Sequence, residues 1–407
     1  MKDNGSKNFN RIFYVAIMLF SVAFLFFGNR IASQNIFEPD FEPLPVYSAV
    51  ITEITNREEV QMDFGWGYYV TNLRIFFEAQ ISRGESRDEI VSAEFNEMNI
   101  LEMALKEIEE GDRVLLIYHE HINTFFFMDY ERINYIFILG GVFFILVVLL
   151  GRMKGFNSII SLAFVCMAIF LILIPAILSG MNIYVTAAII CTYSIISTLL
   201  IVVGPNKKAI SAILGCLSGV VLAGILMFSM DGIMHLTGLV DSEARSLLNI
   251  PLENPINIRA IVFAGIIIGS TGAIMDVAMS ISSSLWEVRQ AGEASDFRSL
   301  FKSGIEIGKD ILGTMLNTLI LAYIGSSLSI IILMTAGAGS LFDLLNREMI
   351  IVEFLRALTG SFGMLLAMPL TAAICGWLFT RHGDSEPYVR DRERYRSRES
   401  YQRRSGS

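Results

Sequence analysis

One acidic residue within a long apolar stretch has a side chain that could bind a proton or a cation. Asp276 follows the apolar run 260–268 and the small residues Gly269 and Gly272, and Ser280 lies one helical turn beyond it. Residues three and four apart share a face of a helix, so these positions line one side of it. A carboxylate inside a membrane span is costly and normally faces a protein interior or a water-filled cavity.

The position of Asp276 leaves two interpretations open. Counted from Arg259 at about 1.5 Å per residue, it lies about 25 Å along the helix, near the far edge of a hydrocarbon layer of about 30 Å. It is then either an interfacial carboxylate that ends the span or a proton or cation ligand in a cavity. The small residues before it favour either a helix break, which marks many transporter sites, or close helix packing.

A second set of polar groups lies in the next apolar segment. Asn317 and Thr314 fall within the run 311–335, where an amide needs a hydrogen-bonding partner that a neighbouring helix can supply. Our working hypothesis pairs Asp276 with Asn317 across one helix interface, and the alternative is a hydrogen bond that serves packing only. Further on, Glu353 and Arg356 are spaced by three, so we expect them to pair or to extend toward the interface.

Composition places these residues in a membrane protein. The chain is 53% hydrophobic and 17% charged, whereas soluble domains are roughly 25% charged. The apolar residues form long blocks, which predict an all-α polytopic membrane bundle of about eight transmembrane helices. The predicted spans are 12–28, 135–150, 159–178, 183–203, 209–229, 259–289, 311–335 and 350–379. No clean small-x-small site follows the first, so we expect an uncleaved helix rather than a signal peptide.

A polar region separates the first two spans and predicts a small extracytoplasmic, mostly-β domain over 34–132. Alternation predicts a strand at Val46–Ile54, and we expect one strand or a pair of strands over Tyr68–Ile81 and a buried strand at Val114–Tyr118. A turn is expected at 65–67, and apolar residues at helical spacing predict a short amphipathic helix over Met98–Ile108. The remaining segments are an N-terminus over 1–11, a seven-helix membrane domain over 133–380 and a disordered Arg-rich tail over 381–407.

Orientation follows from the basic residues of the short loops, which accumulate on the cytoplasmic side. With the N-terminus inside, that side carries Lys2, Lys7, Arg152, Lys154, Lys207, Lys208, Arg289, Arg298, Lys302, Lys309 and the Arg-rich tail. Both termini are therefore expected in the cytoplasm.

The motifs of common enzyme classes are not found in the sequence. It has no H-E-x-x-H, no G-x-S-x-G and no G-x-x-x-x-G-K, so we expect neither an enzyme nor a bound cofactor, and no nucleic-acid partner. His119 and His121 would share one face of a strand, but that region has no Cys to complete a metal site, and we expect no metal. The four cysteines lie in apolar blocks, as buried small side chains do.

Two motifs carry a family resemblance. The run G-S-T-G-A-I-M-D-V-A-M-S over 269–280 and the pattern E-x-G-x-D-x-x-G-T-M-x-N-T-L-x-L-A-Y over 306–323 resemble the YibE/YibF-like family of bacterial membrane proteins. The acidic segment 241–244 also fits this family, and the likeness covers about 130–380. The resemblance implies a multi-pass protein of the bacterial plasma membrane, and it supplies a topology rather than a mechanism.

Two functions are expected from this sequence. The first is a transporter or permease-like protein for an unidentified solute or ion, in which Asp276 binds a proton or cation and Asn317 and Thr314 line the path. The second is an envelope-sensing or membrane-assembly factor, in which the external domain binds an envelope protein partner. In both, the lipid bilayer surrounds the helical part of the chain.

Overall fold

The computed structural model divides the chain into two compact units. One comprises residues 39–147, and the other comprises residues 1–38 together with 148–407. The residues it describes are 2–34, 44–63, 69–84, 86–99, 107–120, 122–240, 242–250, 255–292, 296–337 and 340–381. The predicted Arg-rich tail and the predicted turn at 65–67 lie outside these ranges, except for Arg381.

The smaller unit contains a closed five-stranded barrel. Its strands are β1 (Val46–Asp63), β2 (Tyr69–Ile81), β3 (Ile90–Asn99), β4 (Arg113–His119) and β5 (Thr124–Tyr130). They follow each other around the barrel in the order β1-β2-β3-β5-β4, and all neighbours are antiparallel except β3 and β5. A five-stranded Greek-key barrel of this kind is the architecture of the OB fold.

Alternating side chains fill the barrel. Every second residue points inward along a strand, so Ile75, Phe77, Ala79 and Ile81 of β2 are all buried, while the residues between them are more exposed. Strand β1 pairs with both β2 and β4, and irregularities in its register after Ile51 bend it as bulges do.

The three strands predicted in this region are confirmed, with β1 longer than expected. Strands β3 and β5 were not predicted. The predicted amphipathic helix does not begin at Met98, because Met98 pairs with Asn72 of β2 as part of β3. Residues 100–106 lie outside the described ranges, and Ile108 is buried in the barrel core.

A buried carboxylate lies directly after β5. The side chain of Glu131 is 4% exposed, and it accepts hydrogen bonds from the Ser48 hydroxyl at 2.6 Å and the Asn134 amide at 3.1 Å. The guanidinium of Arg83 lies 3.6 Å from the same carboxylate. A buried charge is tolerated when it is paired and hydrogen-bonded in this way.

The helices begin at positions that the sequence marks. Four of the long helices follow an Asn or Asp whose side chain accepts a hydrogen bond from the backbone N–H three residues later: Asn182, Asn206, Asn257 and Asp296. Such caps satisfy one of the free N–H groups at a helix start.

The helices of the described chain are α1 (Lys2–Ala32), α2 (Ile133–Ala168), α3 (Ile174–Leu178), α4 (Ile183–Val203), α5 (Lys207–Met234), α6 (Ser242–Leu247), α7 (Ile258–Gln290), α8 (Phe297–Ser326), α9 (Leu328–Ala336), α10 (Leu341–Asn346) and α11 (Glu348–Thr380).

Seven helical stretches in the described chain are long and apolar enough to cross a membrane, compared with the eight spans predicted. The difference arises because the predicted second and third spans form one helical run, Ile133–Leu178. Arg152 interrupts the run with φ 48° and ψ −132°. A π-helical stretch, Ile169–Leu173, precedes Pro175, whose ring removes one helical hydrogen bond and clashes with the preceding turn.

Helix α11 is the centre of the larger unit and packs against α5, α7 and α8. Small residues allow this close approach. A Cβ at Gly215 of α5 would lie 2.9 Å from the Cβ of Thr371, and one at Gly308 of α8 would lie within 2.5 Å of Met368. Close approach at the predicted Gly215-x-x-x-Gly219 spacing is confirmed, since a Cβ at Gly219 would contact Ala367 of α11.

Two carboxylates near the start of α11 connect it to neighbouring segments. The carboxylate of Glu348 accepts three hydrogen bonds of 2.7 Å, from the backbone N–H and hydroxyl of Thr237 and from the N–H of Gly238. At the junction of α8 and α9, Ser327 is buried and its hydroxyl donates to Glu353 of α11. The predicted seventh span is therefore interrupted at Ser327, which the sequence did not indicate.

Candidate functional site

Helix α7 presents two different faces. Ile274, Val277, Ile281 and other residues of one face are buried in the core. The opposite face carries Gly269, Gly272 and Asp276, all exposed, with Ser280 half-buried in the next turn. The helix therefore places four of the predicted site residues along one side, as their spacing requires.

The glycines of this face neither break the helix nor pack closely. Helix α7 is continuous from Ile258 to Gln290, so the expected break is not observed. A Cβ at Gly272 would meet no heavy atom within 4 Å, and one at Gly269 would meet only the hydroxyl of Tyr323 at 3.3 Å. The glycine face is therefore an open groove along the helix.

Asp276 lies at the end of this groove. Its carboxylate makes neither a hydrogen bond nor an ion pair with the described part of the chain. Eighteen helical steps separate it from Ile258, which is about 27 Å of rise. Hydrocarbon cannot solvate an ionised carboxylate, so the side chain requires water, a bound cation or a proton.

Asn317 and Thr314 lie on the outward side of α8. The inward side carries Gly308 and Leu312, which are buried against α11 and α7. Asn317 is exposed, on the opposite side of the helix, and makes no hydrogen bond with any described residue. The hydroxyl of Thr314 donates to the carbonyl oxygen of Ile311 at 3.0 Å. The hydrogen bond hypothesised between Asp276 and Asn317 is therefore not formed within the described chain.

A cavity of about 260 Å³ lies beside α7, between α2 and α4. Its walls are mainly apolar but include five hydroxyl residues: Ser158, Ser161, Ser194, Thr198 and Thr271. The hydroxyl of Ser161 donates to that of Thr198 at 2.8 Å, which links α2 to α4. Gly272 also lines the cavity, so the cavity reaches the glycine face one turn before Asp276.

Two of the cavity's hydroxyl groups are already hydrogen-bonded. Thr271 donates its proton to the carbonyl oxygen of Ile267 at 2.8 Å, and Ser158 donates to that of Lys154 at 3.0 Å. These hydroxyl groups are therefore bonded to their own helices, and the accessible wall of the cavity is almost entirely apolar. The sequence analysis missed this cavity, although the hydroxyl residues within otherwise apolar spans were a visible signal.

The other predicted polar pair is confirmed. The guanidinium of Arg356 donates to the carboxylate of Glu353 at 2.7 Å, and both side chains are partly buried. With the hydroxyl of Ser327, they form a polar cluster near the start of α11.

The described residues show no metal centre. His119 ends β4, and its ring contacts Phe126 edge-on at 5.3 Å between centroids, while His121 lies outside the described residues. Within the described ranges, no group of three or more His, Cys, Asp or Glu side chains is placed to hold a metal ion.

The seven long apolar helices of the described chain, in which backbone groups are hydrogen-bonded within each helix, are characteristic of a multi-pass membrane protein. The profile described as YibE/F-like protein matches residues 139–381, and the chain belongs to this family. The matched region includes the candidate residues of α7 and α8 and the cavity beside them. No curated protein and no solved structure matches the chain.

Proposed function

We propose that this protein is a permease-like membrane protein for a small solute or an ion, and that its site is the cavity beside α7 together with Asp276. The observation that carries the proposal is an unpaired carboxylate on the glycine face of a continuous apolar helix, one turn from a cavity. Ionisable groups inside spans are costly and normally mark substrate or ion pathways. Packing alone gives no reason for an acidic residue there.

Each part of this site has a chemical role. The carboxylate of Asp276 binds a proton or cation, whose charge it neutralises. The accessible wall of the cavity is almost entirely apolar, so it suits an apolar part of a solute. Asn317 and Thr314 face away from α7. The proposed site therefore does not include them, although the sequence predicted that they line a transport path with Asp276.

The proposal includes eight membrane crossings. The run Ile133–Leu178 has 46 residues, or about 69 Å of helical rise, which is more than twice a hydrocarbon layer of about 30 Å. The break at Arg152 divides it into two segments that are each long enough to cross. With the basic loops inside, both termini are cytoplasmic and the β barrel lies outside the plasma membrane.

A cysteine at Asn206 tests this topology in a Cys166→Ala background. Asn206 lies between α4 and α5, and it is cytoplasmic only if Ile133–Leu178 crosses twice. A membrane-impermeant thiol reagent added to intact cells should label a cysteine in the barrel and spare one at Asn206. Labelling at both positions would contradict eight crossings.

Asp276→Asn tests the site. We expect an untargeted comparison of metabolites and ions to show a difference between cells with and without the gene. The wild-type gene should restore the profile, and Asp276→Asn should not, at equal abundance in the membrane. Glu287→Gln is the matched control, because it makes the same chemical change on an exposed position of the same helix. Full restoration by Asp276→Asn would refute the proposed site.

The barrel supports a second candidate function. It has its own buried core, and OB-type barrels bind ligands through their loops and strand faces. As an envelope-sensing or assembly factor, the protein would lose function when residues 44–131 are replaced by a flexible linker, and it would tolerate Asp276→Asn. The opposite pattern would favour the permease.

A further inference from the structure

The oxygen atoms around Asp276 decide which ion this site can bind. A metal cation exchanges its hydration shell for several oxygen ligands, about six to eight for Ca²⁺ and about six for Mg²⁺. Potassium channels replace the shell of K⁺ with rings of backbone carbonyl oxygens, and many transporters free such carbonyls for Na⁺ by unwinding a helix. A metal site beside Asp276 would therefore need further oxygens from α7 or from its neighbours.

Helix α7 supplies few such oxygens. It is continuous from Ile258 to Gln290, so the carbonyl oxygens of its interior accept the hydrogen bonds of the helix itself. On the face that carries Asp276, the preceding residues Gly269 and Gly272 have no side-chain oxygen, and the next turn adds one hydroxyl, that of Ser280. The helix therefore offers a carboxylate and a single hydroxyl, which do not make up the shell of a metal ion.

The helices packed against α7 do not complete such a shell. These neighbours are α4, α5, α8 and α11. Cys216 of α5 lies close enough to interact with the carboxylate of Asp276, and Cys191 of α4 lines the cavity beside α7. Among the described residues, however, no three His, Cys, Asp or Glu side chains are grouped so that they could hold a metal ion.

Charged neighbours do not fix the charge of Asp276 either. Within the described chain, no Lys, Arg or second carboxylate acts on its carboxylate. On α8, Glu306 and Lys309 pair with each other at 2.9 Å, and Asp310 is exposed. Beyond its first turns, α11 carries one titratable group, the buried thiol of Cys375. The carboxyl group of Asp276 is therefore free to gain and lose a proton.

We propose that the ion exchanged at Asp276 is a proton and not a metal cation, so that the permease couples its solute to proton movement. This inference rests on the proposed function and specifies the ion at the same site. A proton needs one carboxylate oxygen and no shell of ligands. It also removes the charge, and a neutral carboxyl group is the form that an environment poor in water tolerates.

Hydroxyl groups connect Asp276 with the charged end of α7. Ser280 and Ser283 are half-buried on the same face of the helix, and Arg289 lies near its end. A hydroxyl both donates and accepts hydrogen bonds, so this face can hold water molecules that pass a proton along. One route for the proton therefore runs along the Ser280 side of the helix.

Carbodiimide labelling of the wild-type protein in native membranes tests which ion occupies the carboxylate. Dicyclohexylcarbodiimide dissolves in the bilayer and reacts with a protonated carboxyl group: the proton goes to a nitrogen, the oxygen adds to the central carbon, and the adduct rearranges to a stable acylurea. Mass spectrometry of the peptides measures labelling at Asp276. The rate should fall about tenfold for each pH unit once most of the carboxyl is ionised. Chlorides of sodium, potassium, magnesium or calcium, with choline chloride balancing the ionic strength, should leave the rate unchanged at constant pH.

Two other carboxylates of the same unit provide controls. Glu287 is exposed on the same helix and should be labelled far more slowly, and Asp310→Asn should leave labelling at Asp276 unchanged. Slower labelling at Asp276 in any of the metal salts at constant pH would overturn the proposal in favour of a metal cation. Labelling no faster than at Glu287 at every pH would show a carboxylate in bulk water and would overturn it as well. Neither result requires transport, whereas a failure of the permease itself is seen separately, as full restoration of the cell profile by Asp276→Asn.

Discussion

Gly215→Ala should destabilise the helical unit, although alanine is the better helix former. The added methyl group would lie 2.1 Å from the hydroxyl oxygen, 2.9 Å from the Cβ and 3.1 Å from the Cα of Thr371. The hydroxyl can rotate away, but the Cβ and Cα move only if α11 moves. Overpacking of this kind lowers the free energy of unfolding by about 1–3 kcal/mol. The higher helix propensity of alanine offsets up to about 1 kcal/mol of this loss. We therefore expect a net loss of about 1–2 kcal/mol.

The buried cysteines provide the assay. Cys216 and Cys375 are buried, whereas Cys166 is exposed, so in a Cys166→Ala background a thiol-reactive fluorophore reports unfolding when the purified protein is heated at a fixed rate. At about 2–4 °C per kcal/mol, the midpoint should fall by about 2–8 °C. Gly224→Ala is the control on the same helix, because its new Cβ would meet only Phe263, at 3.8 Å. An unchanged midpoint for Gly215→Ala, or an equal fall for Gly224→Ala, would refute the assigned α5–α11 contact.

Three further substitutions test other contacts. The hydroxyl of Thr371 is buried without a hydrogen-bonding partner, so Thr371→Val should raise the same midpoint by the equivalent of about 1 kcal/mol; a fall would reveal a partner. Glu348→Ala removes the acceptor of three hydrogen bonds, and amide hydrogen exchange at Thr237 should accelerate about tenfold or more, whereas unchanged exchange would show that another group holds the loop. Glu131→Ala leaves the Ser48 hydroxyl without its acceptor and should cost the barrel about 2–3 kcal/mol, seen as earlier cleavage of the barrel by a protease; equal resistance would contradict a stabilising role.

The sequence predicted the features that depend on composition and local period. Apolar runs of about 20 residues are sufficient to locate membrane helices, and alternation located strands β1, β2 and β4. Strand β3 carries the same alternation, with Val91, Ala93 and Phe95 buried and Glu94 on the outer side, so the sequence analysis missed a strand that the pattern indicates. Strand β5 has a continuous apolar run, 125–128, whose period does not distinguish a strand from a helix. Met98 is the first of several apolar residues that happen to fall at helical spacing. Only its pairing with β2 shows that it belongs to a strand.

The candidate site was predictable only in part. The shared face of Gly269, Gly272 and Asp276 follows from helical geometry, but the side of a helix that the bundle buries depends on its neighbours. The hypothesised bond between Asp276 and Asn317 is not formed within the described chain, since α8 packs through the side that carries Gly308. The cavity beside α7 is formed by three helices together, so hydroxyl residues within single apolar spans indicate polar positions but not the cavity itself.

Closure of the β barrel is local to one part of its strands. Strand β1 pairs with β4 over Val46–Val50, and β3 pairs with β5 at Ala93 and Glu94. Within the described residues, the rest of β1 and of β3 is paired only with β2. Strand edges are where β domains add strands from other chains, so strand addition to this domain is expected along the far part of β1 or β3 and not where the barrel is closed.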